Sequence, residues 1–237
     1  MRASTLPLLV LLGTNLALLA CDEEHSPKCA AECEAEGKCT RRGESCIATA
    51  EADCQASQAC KNRGQCTLKG ETCVATAASC KALISCTKNG LCSEQAGVCK
   101  AVTNDDCKSS EDCEQEGLCS AETGKCIAKD DKDCEGAVVC RESARCTAKN
   151  KECIIGSDAD CESAPECKKQ GLCSFVKGAC ALASSSDCRK TEDCKVNGRC
   201  TLDNGLCVVG SDSDCKQSQV CERKQKCTKR DNSCVAQ

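Results

Sequence analysis

Tryptophan and tyrosine are absent from this 237-residue chain, and phenylalanine, methionine and histidine occur once each, as Phe175, Met1 and His25. With Phe175 the one Phe, Tyr or Trp ring, there is no row of aromatic side chains on which successive nucleic-acid bases could stack. With a single imidazole, the many Ser and Thr hydroxyls have no base to turn them into nucleophiles, and His25 reads as a solvated residue of a short tether. Large apolar side chains are also scarce. From Cys21 onward only 25 of 217 residues are Leu, Ile, Val or Phe, a level at which a chain without crosslinks stays disordered. Charge is balanced: 32 basic and 36 acidic residues are interspersed, for a net charge of -4. That leaves no basic stripe for nucleic acid and no polybasic patch for a membrane surface. Together these absences point away from catalysis, and the expectation is a protein that is not an enzyme, takes no cofactor and binds no nucleic acid.

Cysteine is what the chain has instead, with 33 residues, the composition of a secreted disulfide scaffold. An odd number in such a chain requires one cysteine with a separate role. The N-terminus supplies it. Met1-Arg2 is followed by an apolar run from Leu6 to Leu19, the layout of a secretory signal segment and too short for a membrane span. The run ends Leu18-Leu19-Ala20-Cys21, which resembles the lipobox of bacterial lipoproteins, with Leu19 larger than the residue usual at its position. The resemblance implies a signal peptide over 1–20, a diacylglycerol thioether on Cys21 with an N-acyl chain such as palmitate, and a tether over 21–27. It implies export to the bacterial cell envelope and attachment to a membrane through the lipid. Asp22 looks like a signal that in some bacteria keeps lipoproteins at the inner membrane, and the leaflet stays open.

The other 32 cysteines fall into eight sets of four. Repeat 1 (28–49) holds Cys29, Cys33, Cys39 and Cys46; repeat 2 (53–76) holds Cys54, Cys60, Cys66 and Cys73; repeat 3 (79–102) holds Cys80, Cys86, Cys92 and Cys99. Repeat 4 (106–129) follows with Cys107, Cys113, Cys119 and Cys126, repeat 5 (133–156) with Cys134, Cys140, Cys146 and Cys153, and repeat 6 (160–183) with Cys161, Cys167, Cys173 and Cys180. Repeat 7 (187–210) has Cys188, Cys194, Cys200 and Cys207, and repeat 8 (214–237) has Cys215, Cys221, Cys227 and Cys234. Seven of the eight share the spacing C-x5-C-x5-C-x6-C, with starts 27 residues apart except for one step of 26; repeat 1 shortens its first gap to three residues. A fixed period of this length is the signature of a tandem array.

Other positions recur with the cysteines. Asp precedes the first cysteine in six repeats (Asp53, Asp106, Asp133, Asp160, Asp187, Asp214), often with Ser nearby, and these read as helix N-caps. Gly stands two before the third cysteine in six repeats, which is helix-stop chemistry. Ser or Thr follows the third cysteine every time, and a turn such as Asp203-Asn204-Gly205 leads to the fourth, the signature of a hairpin. Each module is therefore expected to be a short helix and a β-hairpin crosslinked by two disulfides, eight small disulfide-rich modules in tandem. About three large aliphatics per module, worth about 1.5 to 3 kcal/mol each when buried, do not order some 25 residues without crosslinks and neighbours.

Spacing narrows the pairing. If the first two cysteines share a helix, their Cα atoms stand about 9 Å apart, beyond the roughly 7 Å reach of a disulfide. Second with third and first with fourth is favoured; first with third and second with fourth stays open. Zinc or soft-metal binding by thiolates is the rival use of four cysteines, but no C-x2-C or C-x-C occurs. The Gly156–Asp160 and Gly210–Asp214 links carry carboxylates without the ligand spacing of a calcium loop. Variable tips, such as Arg41-Arg42-Gly43-Glu44, Leu68-Lys69-Gly70-Glu71 and Phe175-Val176-Lys177-Gly178, are where a fixed scaffold places recognition. The functional expectation is a structural spacer or multivalent binding scaffold in the envelope, with a protein or glycan as partner. The alternatives are a multi-headed hydrolase inhibitor and thiol-based metal binding.

Overall fold

The computed structural model describes residues 27–237; the signal segment, Cys21, Asp22 and His25 lie outside the described residues. Eight modules follow one another, each with a helical segment and a two-stranded antiparallel hairpin. Module 7 represents the rest: helices Ser185–Lys190 and Glu192–Asn197, then strands Thr201–Asp203 and Leu206–Val208. Cys207 faces Leu202 across the ladder, and the equivalent pairs in modules 2 and 6 are Leu68 with Cys73 and Phe175 with Cys180.

The helical segment is divided in modules 2 to 8. Between the first and second cysteines one residue, Ser57, Leu83, Ser110, Ala137, Ala164, Thr191 or Ser218, adopts extended backbone angles and starts a second helix. Where it is Ser or Thr, its hydroxyl donates to the carbonyl of the first cysteine at 2.6 to 2.7 Å. In Ser57, Ser110 and Thr191 the same oxygen also accepts from the amide of the second cysteine at 3.1 to 3.2 Å. One buried hydroxyl thus ends one helix and caps the next, satisfying groups that a helix terminus leaves open. Pro165, at the first position of its helix, forces the same break by restricting Ala164 to extended angles.

All eight modules join first cysteine to fourth and second to third. The long bridge ties the first helix to the returning strand. The short one spans the αL turn that closes the second helix, bringing Cys194 and Cys200 to a Cα separation of 4.6 Å. The buried apolar residues are cysteine and alanine almost throughout, with Ile47 and Val209 the only larger aliphatics among those described. Cystine fills the volume that Leu and Ile occupy in an ordinary core.

The six glycines do close their helices in αL geometry, and most have a second reason to be glycine. A Cβ on Gly90 or Gly117 would stand 2.6 Å from Cys126 or Cys153 Sγ of the following module. Module 5 uses buried Ala144 at this position, and module 8 uses exposed Gln225.

Candidate functional site

Each Asp before a first cysteine was expected to be an N-cap, and the structure corrects its place. The N-caps are Ala50, Thr103, Asp130, Ser157, Ser184 and Ser211, while the Asp stands three residues later. Thr103 with Asp106 and Ser184 with Asp187 form the reciprocal capping box, whereas Asp133, Asp160 and Asp214 accept from the amide just before the N-cap, that of Lys129, Gly156 or Gly210, at 2.7 to 2.8 Å. Asp187 accepts from the Ala183 and Ser184 amides, both at 2.9 Å, and it also takes the hydroxyl of Ser174 at 2.9 Å. Ser174 belongs to the preceding module. The same clasp joins Ser93 to Asp106 at 3.0 Å, Thr147 to Asp160 at 2.8 Å and Thr201 to Asp214 at 2.7 Å. Two motifs that look separate in the sequence are therefore the two halves of one contact between modules.

The Gly156–Asp160 and Gly210–Asp214 links belong to this clasp, since the Gly156 and Gly210 amides donate to Asp160 and Asp214 at 2.7 and 2.8 Å. Among the described residues no group of three or more His, Cys, Asp or Glu is placed to hold a metal ion. Burial acts to raise the Asp187 carboxyl, but the Ala183 amide, the Ser174 hydroxyl and the Ser184 amide outweigh it and hold the group below the ordinary aspartate value. Asp106 is lowered in the same way, burial opposed by the Thr103 and Val102 amides and by the Ser93 hydroxyl. At neutral pH these carboxylates are anionic acceptors committed to their donors.

A second carboxylate, three positions before the first cysteine, turns toward the hairpin of its own module. Asp158 accepts from the Phe175 amide at 2.6 Å, Asp131 from Ala148 at 2.8 Å and Asp212 from Lys229 at 2.6 Å. These bonds cover amides on the outer edge of the strand, which would otherwise be free to pair with another chain. The opposite edge meets the next hairpin. The Ala48, Ala75, Ala101 and Ala128 amides donate to the carbonyls of Glu71, Gly97, Gly124 and Lys151 in the following turn, at 2.8 to 3.2 Å. Ion pairs join successive hairpins, Glu122 to Lys151 at 2.5 Å and Arg42 to Glu71, and Glu162 to Lys190 at 2.6 Å joins the first helices of modules 6 and 7.

The tips are exposed in six modules, with Gly97 and Gly124 half-buried in the other two, and in modules 2 to 5 one tip carbonyl is taken by the preceding module. In modules 3 to 7 both central residues of the two-residue loop have positive φ, as in Asn204 and Gly205, the pattern of the type I′ hairpin turn. A Cβ built on Gly43, Gly70, Gly178 or Gly205 would meet nothing within 4 Å. Phe175 is half-buried beside Cys180 on its strand, and Val176 after it is exposed. Grooves lie between neighbouring modules. One of about 590 Å³ spans modules 6 to 8 beside Leu182, Arg199, Leu206, Val208 and Asn232. Another, about 660 Å³, lies between modules 2 and 3 beside Leu68, Val74 and Gly97.

All 32 cysteines of the modules stand in disulfides, which is consistent with an exported protein. Among the described residues no helix is long and apolar enough to cross a membrane. The buried hydroxyl between the helices was not singled out from the sequence. Its signal is a Ser or Thr three residues after the first cysteine in four modules. Comparison with protein-family models, with curated proteins and with solved structures found no match to this chain.

Proposed function

We propose that this chain is a lipid-anchored spacer or multivalent display scaffold of a bacterial cell envelope, without catalytic activity of its own. The observation that carries the reading is the junction. Successive modules are joined at four junctions by contacts of one kind, Ser or Thr to Asp, while the two-residue tips of six modules stay exposed and Gly97 and Gly124 in the other two are half-buried. Such a device sets modules at regular intervals and varies only what each tip presents. Several similar tips on one chain raise avidity through effective concentration. The Leu18-Leu19-Ala20-Cys21 motif supplies the anchor, and Cys21 with its acyl chains is the membrane contact in this reading.

The inhibitor alternative loses ground to the turns, because a two-residue loop with positive φ offers no extended segment for a protease cleft. The metal alternative loses ground to the disulfides, because metal binding by cysteine uses thiolates. The test is the intact mass of the protein extracted from membranes, with and without alkylation. The expected result is a mature chain beginning at Cys21, carrying acyl chains and no alkylatable thiol. A mature mass without acyl chains overturns the anchor.

A further inference from the structure

Asn-Gly is the dipeptide most prone to spontaneous deamidation, because the unhindered glycine amide can attack the asparagine side chain. The sequence has three, Asn89-Gly90, Asn197-Gly198 and Asn204-Gly205, and the structure treats them differently. In the first two, the Asn ends a helix and the Gly is its αL cap. The glycine amides, which would be the nucleophiles, already donate to Cys86 and Cys194 carbonyls at 3.0 and 2.9 Å. The side-chain amides are held as well, Asn89 by Asp112 at 2.8 Å and Asn197 by Asp193 at 2.6 Å. Both glycines are buried against the next module, with a Cβ position 2.8 Å from the Asp106 or Asp214 carbonyl oxygen. Ring closure there would have to open a helix cap and a junction together.

Asn204-Gly205 has none of these restraints. Both residues are exposed at the tip of module 7, and a Cβ on Gly205 would meet nothing within 4 Å. The loop is closed by two three-residue strands, and a two-stranded hairpin of that size opens readily. Disulfides hold Cys200, just before the first strand, to Cys194, and Cys207, in the middle of the second strand, to Cys188, so the tip beyond them can fray while the module stays folded.

We infer that Asn204 is a self-modification site, at which the folded protein converts asparagine to aspartate and isoaspartate with water as the only co-reactant. The Gly205 nitrogen, losing its proton to solvent, forms a bond to Asn204 Cγ. The Cγ–nitrogen bond of the side chain breaks, ammonia leaves with a proton from solvent, and a five-membered succinimide remains. Water then adds to one of its two carbonyls and opens the ring. Attack at Cγ yields aspartate. Attack at the main-chain carbonyl carbon yields isoaspartate, with one more methylene in the backbone. Either product adds a negative charge to the tip beside Asp203, and the longer backbone no longer fits a two-residue loop, which alters the setting of exposed Leu206.

The experiment incubates the disulfide-intact protein at mildly alkaline pH and follows positions 89, 197 and 204 by peptide mapping with isoaspartate detection. The reduced and alkylated chain is followed in parallel, and Asn204→Asp serves as the blank for position 204. The expected result is conversion at 204 many-fold faster than at 89 or 197 in the folded protein, with the three rates converging in the unfolded chain. Equal rates in the folded protein, or a faster rate at 89 or 197, would overturn the assignment. Selectivity for 204 that persists in the unfolded chain would overturn it too, since it would lie in local sequence and not in the fold.

Discussion

Asp187 shows how much one side chain does in this fold. It is 2 % exposed and gathers two amides from its own module's helix start and a hydroxyl from the module before. Asn at this position keeps the shape but turns an NH₂ group toward one set of donors. Asp187→Asn should therefore destabilise the junction of modules 6 and 7 by about 1 to 3 kcal/mol, read as faster hydrogen exchange at the 183, 184 and 187 amides. The pH dependence has a defined sign. Because the folded carboxyl is lowered from 3.8, its contribution is complete above that value and is lost as pH falls through the lower folded value. Wild type should lose protection at this junction on acidification, and Asp187→Asn should show a flatter acid response. An identical acid limb in both proteins would mean that the clasp does not carry this effect. Glycine at the helix ends is a different kind of case. Its sequence signal is a turn signal, but Gly90 and Gly117 also have the next disulfide against them.

Within a module, the two disulfides close loops of different length, with sequence separations of 19 and 6. In the chain-entropy relation these correspond to about 3.3 and 2.3 kcal/mol. The longer bridge also has the preceding module against it, since Cys126 Sγ lies beside Gly90. Replacing Cys107 and Cys126 together by Ala should cost more than replacing Cys113 and Cys119. Its effect should also extend into module 3, whereas the short-bridge variant should stay local. Hydrogen exchange resolved along the chain checks both statements. A larger loss from the short bridge would show that the αL turn, and not the link between helix and hairpin, limits module stability.

Across the array, no large aliphatic core stands behind the crosslinks. Buried groups are mainly cystine and alanine, and exposed ion pairs such as Lys195 with Glu192 add little. Nearest-neighbour contacts then set cooperativity, as in other one-dimensional arrays. Reduction is expected to unfold the whole array and abolish its resistance to proteases, measured as the cleavage time course with and without reductant. A reduced chain that remains resistant would contradict a cystine-dependent core.

The number of modules, their crosslinked character, the hairpins and the αL helix ends were all legible from the sequence. They rest on local chemistry: cysteine spacing, the two-residue turn and glycine's tolerance of positive φ act within one module. The break between the two helices was half legible, since Ser57, Ser110, Thr191 and Ser218 recur at one position, but only folding shows each hydroxyl reaching the backbone of the first cysteine. The pairing that spacing favoured, first cysteine with fourth and second with third, is the one that forms, but the meeting of Ser174 with Asp187 and the shielding of Asn89 and Asn197 while Asn204 stays open were decided by tertiary structure. Each depends on which group the returning chain or the next module brings alongside, a matter of separation in space that a local reading of residues does not contain.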